Sequence, residues 1–208
     1  MIDEHDALRA ERRALFETLV GLDDDDWDAP STCAGWRVRD VVAHVNMGAT
    51  IRFRNVLPGL LVAGGDFDRF MARYAVRRGR RPVDVLLAES AMVAETAKTP
   101  PVSKRVDLAI DTFVHHHDIA GPLGRDVPGD PARLRWLADG MVGANRQLGS
   151  ARRTKGLRLI ATDIDWHYGT GPEVRGPAAA LLVAACGRRV ADDRLEGAGL
   201  GLLQERGG

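Results

Sequence analysis

Apolar residues recur at intervals of three and four along most of the first 148 residues, as Val38, Val41, Val42 and Val45 show. This spacing places the apolar side chains on one face of a helix, and that face is buried when helices pack together. The predicted helices cover residues 4–22, 38–56, 68–76, 83–98, 104–120 and 132–148. We therefore expect a helical bundle in this part of the chain.

The pattern changes after Gly149. Residues 157–161 and 164–168 are typical of short strands, and 178–186 form a helix rich in Ala and Leu. We expect an α+β chain that is mostly α, with a four-helix bundle over residues 1–148 and a small α/β domain over 149–208. Because a piece of about 60 residues is marginally stable alone, it should pack on the bundle.

Charge and composition limit the possible partners. The chain has 29 basic and 29 acidic residues, and this balance argues against nucleic acid or an anionic membrane as the main partner. No apolar run of about 18 residues predicts a transmembrane helix, and the acidic N-terminus resembles no signal peptide, so we expect a cytoplasmic protein. Cys33 and Cys186 form no disulfide framework; Cys33 is expected to be incidental and Cys186 a core residue. No nucleotide-binding glycine motif is present.

Three of the six histidines are consecutive, at positions 115 to 117. On a helix, Asp111, His115 and Asp118 lie on one face at spacings of four and three. Imidazole and carboxylate groups suit zinc or a similar divalent metal. A single helix supplies too few ligands, so His44, in the middle of the second long helix, is the candidate third ligand. Two histidines and one carboxylate would leave an open coordination position, as in catalytic zinc sites.

Other interpretations of the same histidines are equally compatible with the spacing. An aspartate and a histidine one turn apart also form local surface pairs, and a histidine between apolar residues is often a hydrogen-bonded core residue. His116 is expected to face solvent. His117 is expected to pack in the core stripe of its helix and not to bind a metal.

Two segments resemble the motifs of a known family. Cys33–Val45 contains Gly-Trp followed by Val-x-Asp-Val-Val-x-His, and Asp111–Ile119 resembles Glu-x-x-Val-His-x-x-Asp. The family is the mycothiol-dependent maleylpyruvate isomerases, whose N-terminal half is a DinB-like metal-binding four-helix bundle. Residues 159–163, 176–182 and 187–188 resemble its small C-terminal α/β domain.

The resemblance implies that His44, Asp111 and His115 bind a divalent metal, with zinc as the expected ion, and that mycothiol is a cofactor. Asp118 is a candidate acceptor for an imidazole N–H from outside the ligand set, and its other interpretation is a solvated acid at the helix end. The family has Glu where this chain has Asp111. The shorter carboxylate would sit about 1.5 Å back, whereas metal–ligand distances vary by only about 0.2 Å. The shorter side chain leaves three alternatives. The backbone shifts to bring Asp111 closer, a water lies between Asp111 and the metal, or the site is weak or empty.

The expected function is that of a metal- and mycothiol-dependent isomerase or transferase acting on a small electrophilic or unsaturated acid. Arg78 and Arg188 are the candidates for binding the thiol or the acid, because guanidinium groups pair with carboxylates. The basic run at 77–81 is also typical of a solvated surface. The alternatives are a non-catalytic small-molecule binding or regulatory protein on the same scaffold, and a metal-dependent hydrolase. We expect a monomer or a homodimer.

Overall fold

The computed structural model describes residues 2–51, 53–100, 103–142, 148–189 and 194–207. The helices within these residues are α1 (Glu4–Val20), α2 (Asp24–Asp28), α3 (Val38–Thr50), α4 (Phe53–Val62), α5 (Phe67–Gly79), α6 (Val83–Ala94), α7 (Arg105–Ala120), α8 (Pro131–Val142), α9 (Ser150–Thr154), α10 (Ala178–Ala185) and α11 (Leu200–Glu205). The strands are β1 (Arg158–Ala161), β2 (His167–Tyr168) and β3 (Glu173–Gly176). The predicted mostly helical α+β class is therefore confirmed.

Helices α1, α3, α6 and α7 pack together as a bundle, and α5 packs on the outside of α3. The apolar stripes predicted from the sequence form part of its core. Buried members include Leu15, Leu19, Val41, Leu86 and Ile119. Because burying one such side chain contributes about 2 kcal/mol, these stripes hold the helices in place. Helix α7 contacts both α1 and α3, so protein covers two of its faces.

Aspartates begin several of these helices. The Asp3 carboxylate accepts hydrogen bonds from the backbone N–H groups of His5 and Asp6 at the start of α1. At the start of α2, Asp23 and Asp26 each accept a hydrogen bond from the other's backbone N–H. The acidic run that follows α1 therefore begins a short helix, although no helix was predicted between residues 22 and 38. Such reciprocal caps satisfy donors that the first helical turn leaves unpaired.

The helix predicted over residues 38–56 is two helices. Ile51 has an extended backbone and ends α3, so α4 is a new helix that contains Pro58. The next residue, Gly59, allows α5 to approach closely, because a Cβ there would lie 2.2 Å from Cε2 of Phe70. A glycine beside the proline thus lets α4 pack on α5.

The small sheet has the order β2–β1–β3, with β1 antiparallel to β2 and parallel to β3. The strand predicted at 157–161 is confirmed as β1, whereas the strand predicted at 164–168 is only the two-residue β2. The sequence pattern did not indicate β3. In this strand Val174 and Gly176 are buried, while Glu173 and Arg175 are partly exposed.

The packing of Cα atoms divides the chain into two compact units, Asp3–Val127 and a unit that contains Pro128–Gly208. This division lies before α8, whereas the predicted domains meet at residues 148 and 149. That domain boundary stays a prediction, because compactness does not test which segment folds alone. Among the described residues, no helix combines the length and the apolar character needed to cross a bilayer.

Candidate metal centre

Two helices of the bundle carry the candidate metal ligands. His44 lies on α3, and Asp111 and His115 lie on α7. The spacing of four residues places Asp111 and His115 one above the other on the same face of α7. Because α3 packs on α7, His44 faces this pair. We call these three residues the His44 cluster.

The His44 cluster brings three potential ligand atoms together. Asp111 Oδ2 lies 3.8 Å from Nε2 of His44, and Asp111 Oδ1 lies 3.6 Å from Nε2 of His115. The two imidazole rings meet edge to face, with centroids 4.8 Å apart. One ligand atom from each residue lies within 4.8 Å of the others. The aspartate therefore approaches both imidazoles, although it is one methylene shorter than glutamate.

The separations suit a divalent metal. A tetrahedral site with ligand distances of about 2.1 Å holds its ligand atoms about 3.4 Å apart. Asp111 approaches the two imidazoles through different oxygens, at 3.6 and 3.8 Å, which are a few tenths of an ångström longer. The donor set of two nitrogens and one carboxylate is one that zinc accepts. These residues thus fit a metal in position and in chemistry.

Asp118 contacts the opposite nitrogen of His115. Its Oδ2 lies 2.9 Å from His115 Nδ1, and the whole residue is 1% exposed. If Nδ1 carries the proton and donates it to Asp118, the lone pair of Nε2 points to the His44 cluster. This is the arrangement in which an outer carboxylate orients a metal-binding imidazole.

A loop from residue 31 to 36 supports Asp118. The Thr32 hydroxyl donates a hydrogen bond to Asp118 Oδ1, and the Thr32 N–H donates to the Asp118 carbonyl at 3.1 Å. The Cys33 thiol donates to Oδ2 at 3.1 Å and lies 3.7 Å from His115 Nδ1. Cys33, expected to be incidental, is therefore part of the surroundings of His115. Cys33, His115 and Asp118 form a second group whose atoms lie close enough to hold a metal.

The charges around His115 act in opposite directions on its pKa. Burial alone would lower the pKa, because it disfavours the charged ring. The carboxylates of Asp111 and Asp118 outweigh burial and raise the pKa from 6.5 to about 10. The metal-free site thus favours a positive charge at His115, in the place where a metal would supply one.

Trp36 forms an apolar wall beside both imidazoles. Its ring centroid lies 5.2 Å from that of His44 and 6.5 Å from that of His115. Within the described part of the chain, His44 Nδ1 is buried and has no hydrogen-bond partner. In the sequence Trp36 is the residue after Gly35 in the resembled motif, but its contact with both rings depends on tertiary structure.

The neighbouring histidines differ in their surroundings. The expectation that His116 faces solvent is wrong: it is 0% exposed, and its Nε2 lies 2.8 Å from the Thr18 hydroxyl. The cause is the contact between α7 and α1, which covers a face beside the core stripe. The ring of His117 packs on that of Phe113, with centroids 4.5 Å apart. His117 Nδ1 also forms a hydrogen bond of 3.0 Å with the backbone carbonyl of Phe113. Packing was the role predicted for His117.

Arg78, a candidate for substrate binding, lies at the end of α5 and pairs with a carboxylate of the protein. Its Nη2 donates a hydrogen bond to Glu89 Oε1, and Arg81 donates to the other oxygen at 3.1 Å. Glu89 is buried, and the Arg78 side chain is only 21% exposed. A substrate carboxylate would have to compete with Glu89 for Arg78.

Arg188, the other candidate, lies after α10 in the unit that contains Pro128–Gly208. Its Nη1 donates to the Cys186 carbonyl at 3.4 Å. Cys186 is buried, as expected of a core residue. The structure thus joins His44, Asp111, His115 and Asp118 in one site, while substrate binding by Arg188 stays a prediction.

Comparisons with known proteins relate this chain to one family of isomerases. Residues 8–101 match the family model of the Mycothiol maleylpyruvate isomerase N-terminal domain. The resemblance to this family is confirmed. The matched range includes His44, whereas Asp111 and His115 lie beyond it. A search of curated proteins found no significant match.

Two solved structures share the fold. One is the crystal structure of the mycothiol-dependent maleylpyruvate isomerase, with 16% identity and a TM-score of 0.58. The other is a mutant of that enzyme with one histidine changed to alanine, at 17% identity and a TM-score of 0.61. Each alignment covers 93% of this chain and 90% of the other. This likeness extends over both compact units and agrees with the predicted DinB-like bundle with a small α/β part.

Proposed function

We propose that this protein is a metal- and mycothiol-dependent isomerase or transferase that acts on a small electrophilic or unsaturated acid. The observation that carries the proposal is the His44 cluster, in which two histidines and one aspartate converge within 4.8 Å. The matched family model and the shared fold support mycothiol as the thiol.

His44, Asp111 and His115 would hold the metal, with zinc as the ion that their nitrogen and oxygen atoms favour. When bound, a metal with an open position lowers the pKa of a coordinated thiol, so that a nucleophilic thiolate forms at neutral pH. Asp118 orients His115 through Nδ1. Trp36 packs beside both imidazoles and limits the directions in which they can turn.

The test begins with the metal. Purified protein should bind about one zinc per chain, and H44A and H115A should lose it. The control is H5A, because His5 is an exposed histidine on α1. No metal in the wild type, or full metal in H44A and H115A, would contradict the proposal.

Turnover separates the alternatives. An isomerase or transferase converts an unsaturated acid only when mycothiol is present, and a hydrolase needs no thiol because an open zinc position can activate water. Saturable binding without turnover would favour the non-catalytic binding or regulatory protein. The observation behind that alternative is Asp111, which stands where the family has glutamate.

Other properties stay predictions from the sequence. These are a cytoplasmic location, a monomer or homodimer, and the absence of a nucleic-acid partner.

A further inference from the structure

Cys33 lies where the loop of residues 31–36 meets the last turns of α7. Its Sγ lies 3.1 Å from Oδ2 of Asp118 and 3.7 Å from Nδ1 of His115, and these two atoms lie 2.9 Å apart. One sulfur, one nitrogen and one oxygen therefore face each other at short range. We call these three residues the Cys33 group. Neither Cys33 nor Asp118 belongs to the His44 cluster.

The separations within the Cys33 group suit a bound ion. A circle through the three atoms has a radius of about 1.9 Å, whereas metal–ligand distances to nitrogen, oxygen and sulfur are about 2.0–2.3 Å. An ion bound to all three atoms therefore lies slightly out of their plane and requires almost no movement of the side chains. The three residues meet the same distance criterion as the His44 cluster, with one ligand atom from each within 4.8 Å of the others.

The charges of the Cys33 group match a divalent cation. Asp118 is 1% exposed, and a buried carboxylate needs a positive partner, which is His115 in the metal-free chain. When an ion binds, Cys33 gives up its thiol proton and His115 gives up the proton on Nδ1. The thiolate and the carboxylate then balance the two positive charges of the ion, so no net charge stays buried.

The ligand atoms are held in place and one of them is accessible. The Thr32 hydroxyl donates to Asp118 Oδ1, and the Thr32 N–H donates to the Asp118 carbonyl at 3.1 Å, while Oδ2 faces the other two ligands. Cys33 is partly exposed, and its neighbours Thr32 and Ala34 are exposed. An ion can therefore reach the sulfur from solvent, although Asp118 and His115 are buried.

We propose that Cys33, His115 and Asp118 form a second metal site, which takes a thiophilic cation such as cadmium. Soft ions prefer thiolate ligands, and the His44 cluster contains no sulfur, so the two sites differ in the softness of the ion that they favour. His115 serves them through different nitrogens, with Nε2 towards Asp111 and Nδ1 towards Asp118. This inference concerns metal binding alone and depends neither on mycothiol nor on turnover.

A purely structural cysteine would use its thiol only as a hydrogen-bond donor to Asp118. Serine can replace such a donor, because its hydroxyl also donates a hydrogen bond. Its oxygen is a poor ligand for a soft cation, which favours sulfur. C33S therefore separates the two roles, since it keeps the hydrogen bond and removes the sulfur.

Cadmium titration of the full chain tests the proposal. The protein is treated with EDTA, desalted and kept reduced with a phosphine, because thiol reductants bind cadmium. Isothermal titration gives the affinity, and the ultraviolet charge-transfer absorption of cadmium thiolate reports bonding to sulfur. The variants are C33S and D118N. The controls are C186A, which removes the other cysteine, and H44A, which removes a ligand of the His44 cluster alone. Circular dichroism checks the fold of each variant.

Wild type, C186A and H44A should show the cadmium–thiolate absorption, and C33S should lose it. D118N should bind cadmium at least about tenfold more weakly, since even an outer partner of a ligand contributes about 10- to 100-fold to metal affinity. D118N decides the matter if C33S does not fold.

Three results would overturn the proposal. They are no thiolate absorption in the wild type, absorption that persists in C33S or disappears in H44A, and equal affinity in D118N, which would indicate a cysteine that binds cadmium alone. Zinc binding that H44A abolishes, without cadmium binding through sulfur, would leave the proposed function standing. Cadmium binding through sulfur in H44A, without zinc binding by the wild type, would do the reverse.

Discussion

His116 is a buried histidine whose protonation should control the stability of the bundle in mild acid. It is 0% exposed, and burial, together with the nearby charge of His117, lowers its pKa from 6.5 to about 4. The pKa of His116 is 6.5 in the unfolded chain and about 4 in the folded chain. At a pH between these values, His116 binds a proton in the unfolded chain but not in the folded chain. The free energy of unfolding therefore falls as the pH falls from 6.5 towards 4, and the contribution of His116 is fully present above 6.5.

The magnitude follows from the pKa. At about 1.4 kcal/mol per pH unit, the whole interval amounts to about 3 kcal/mol, and the part between pH 7 and pH 5 to about 2 kcal/mol. H116Q removes the titration while keeping a polar group near the Thr18 hydroxyl. His115 does not contribute below pH 6.5, because its pKa of about 10 keeps it protonated in the folded state as well.

Urea unfolding at pH 7 and pH 5, with EDTA to exclude metals, measures the effect. The wild type should lose about 2 kcal/mol more than H116Q over this interval. H5Q removes an exposed histidine and should behave as the wild type does. Equal losses in wild type and H116Q would refute the reasoning, because His116 would then not be held neutral by burial.

Three further changes address the site and its supports. D118N should lower zinc affinity by roughly 10- to 100-fold in competition with a coloured chelator, because His115 loses the carboxylate that orients it; unchanged affinity would contradict this role. E89Q should lower the free energy of unfolding by about 3 kcal/mol, because two arginines share this buried carboxylate. Denaturant titration measures this change, and a loss below about 1 kcal/mol would show that the ion pairs contribute little. G79A should cost about 2 kcal/mol, because a Cβ would lie 3.0 Å from Asp40 Cα; an unchanged melting temperature would show that α5 can move away.

The period of α7 predicted its helix and its core stripe, but not the surroundings of every histidine. The pattern identifies one apolar face, and His116 lies outside it. Because α7 contacts α1 as well as α3, a second face is also covered. Thr18 bonds Nε2 of the ring at 2.8 Å, and among the described residues Nδ1 is buried without a hydrogen-bond partner. A helix with two covered faces can thus bury a residue that a single stripe assigns to solvent.

The candidate site was predictable where it depends on helical spacing. Asp111 and His115 share a face at any packing of α7, and His44 joins them because α3 is a neighbouring helix. The reach of the aspartate depends on differences of about an ångström in how close the two helices pack, which no spacing specifies. The contact of Cys33 with Asp118 joins residues 85 positions apart through an irregular loop, and the sequence pattern carried no signal for it.

The arginines show that the sequence pattern alone does not identify which cations are free to bind a ligand. The basic run at 77–81 attracts attention as a binding site, yet Arg78 and Arg81 already share Glu89. Arg12 stands in an ordinary amphipathic helix beside Arg13, and only the structure separates them, because Arg13 is exposed and paired whereas Arg12 is buried and bonded to two carbonyls. A cation that the chain has already neutralised gains little from a ligand's charge, since the ligand must displace an existing partner. Arg12 is enclosed by protein and bonded to two backbone carbonyls, so the structure assigns it to anchoring the segment after α6 and not to a surface that a ligand reaches.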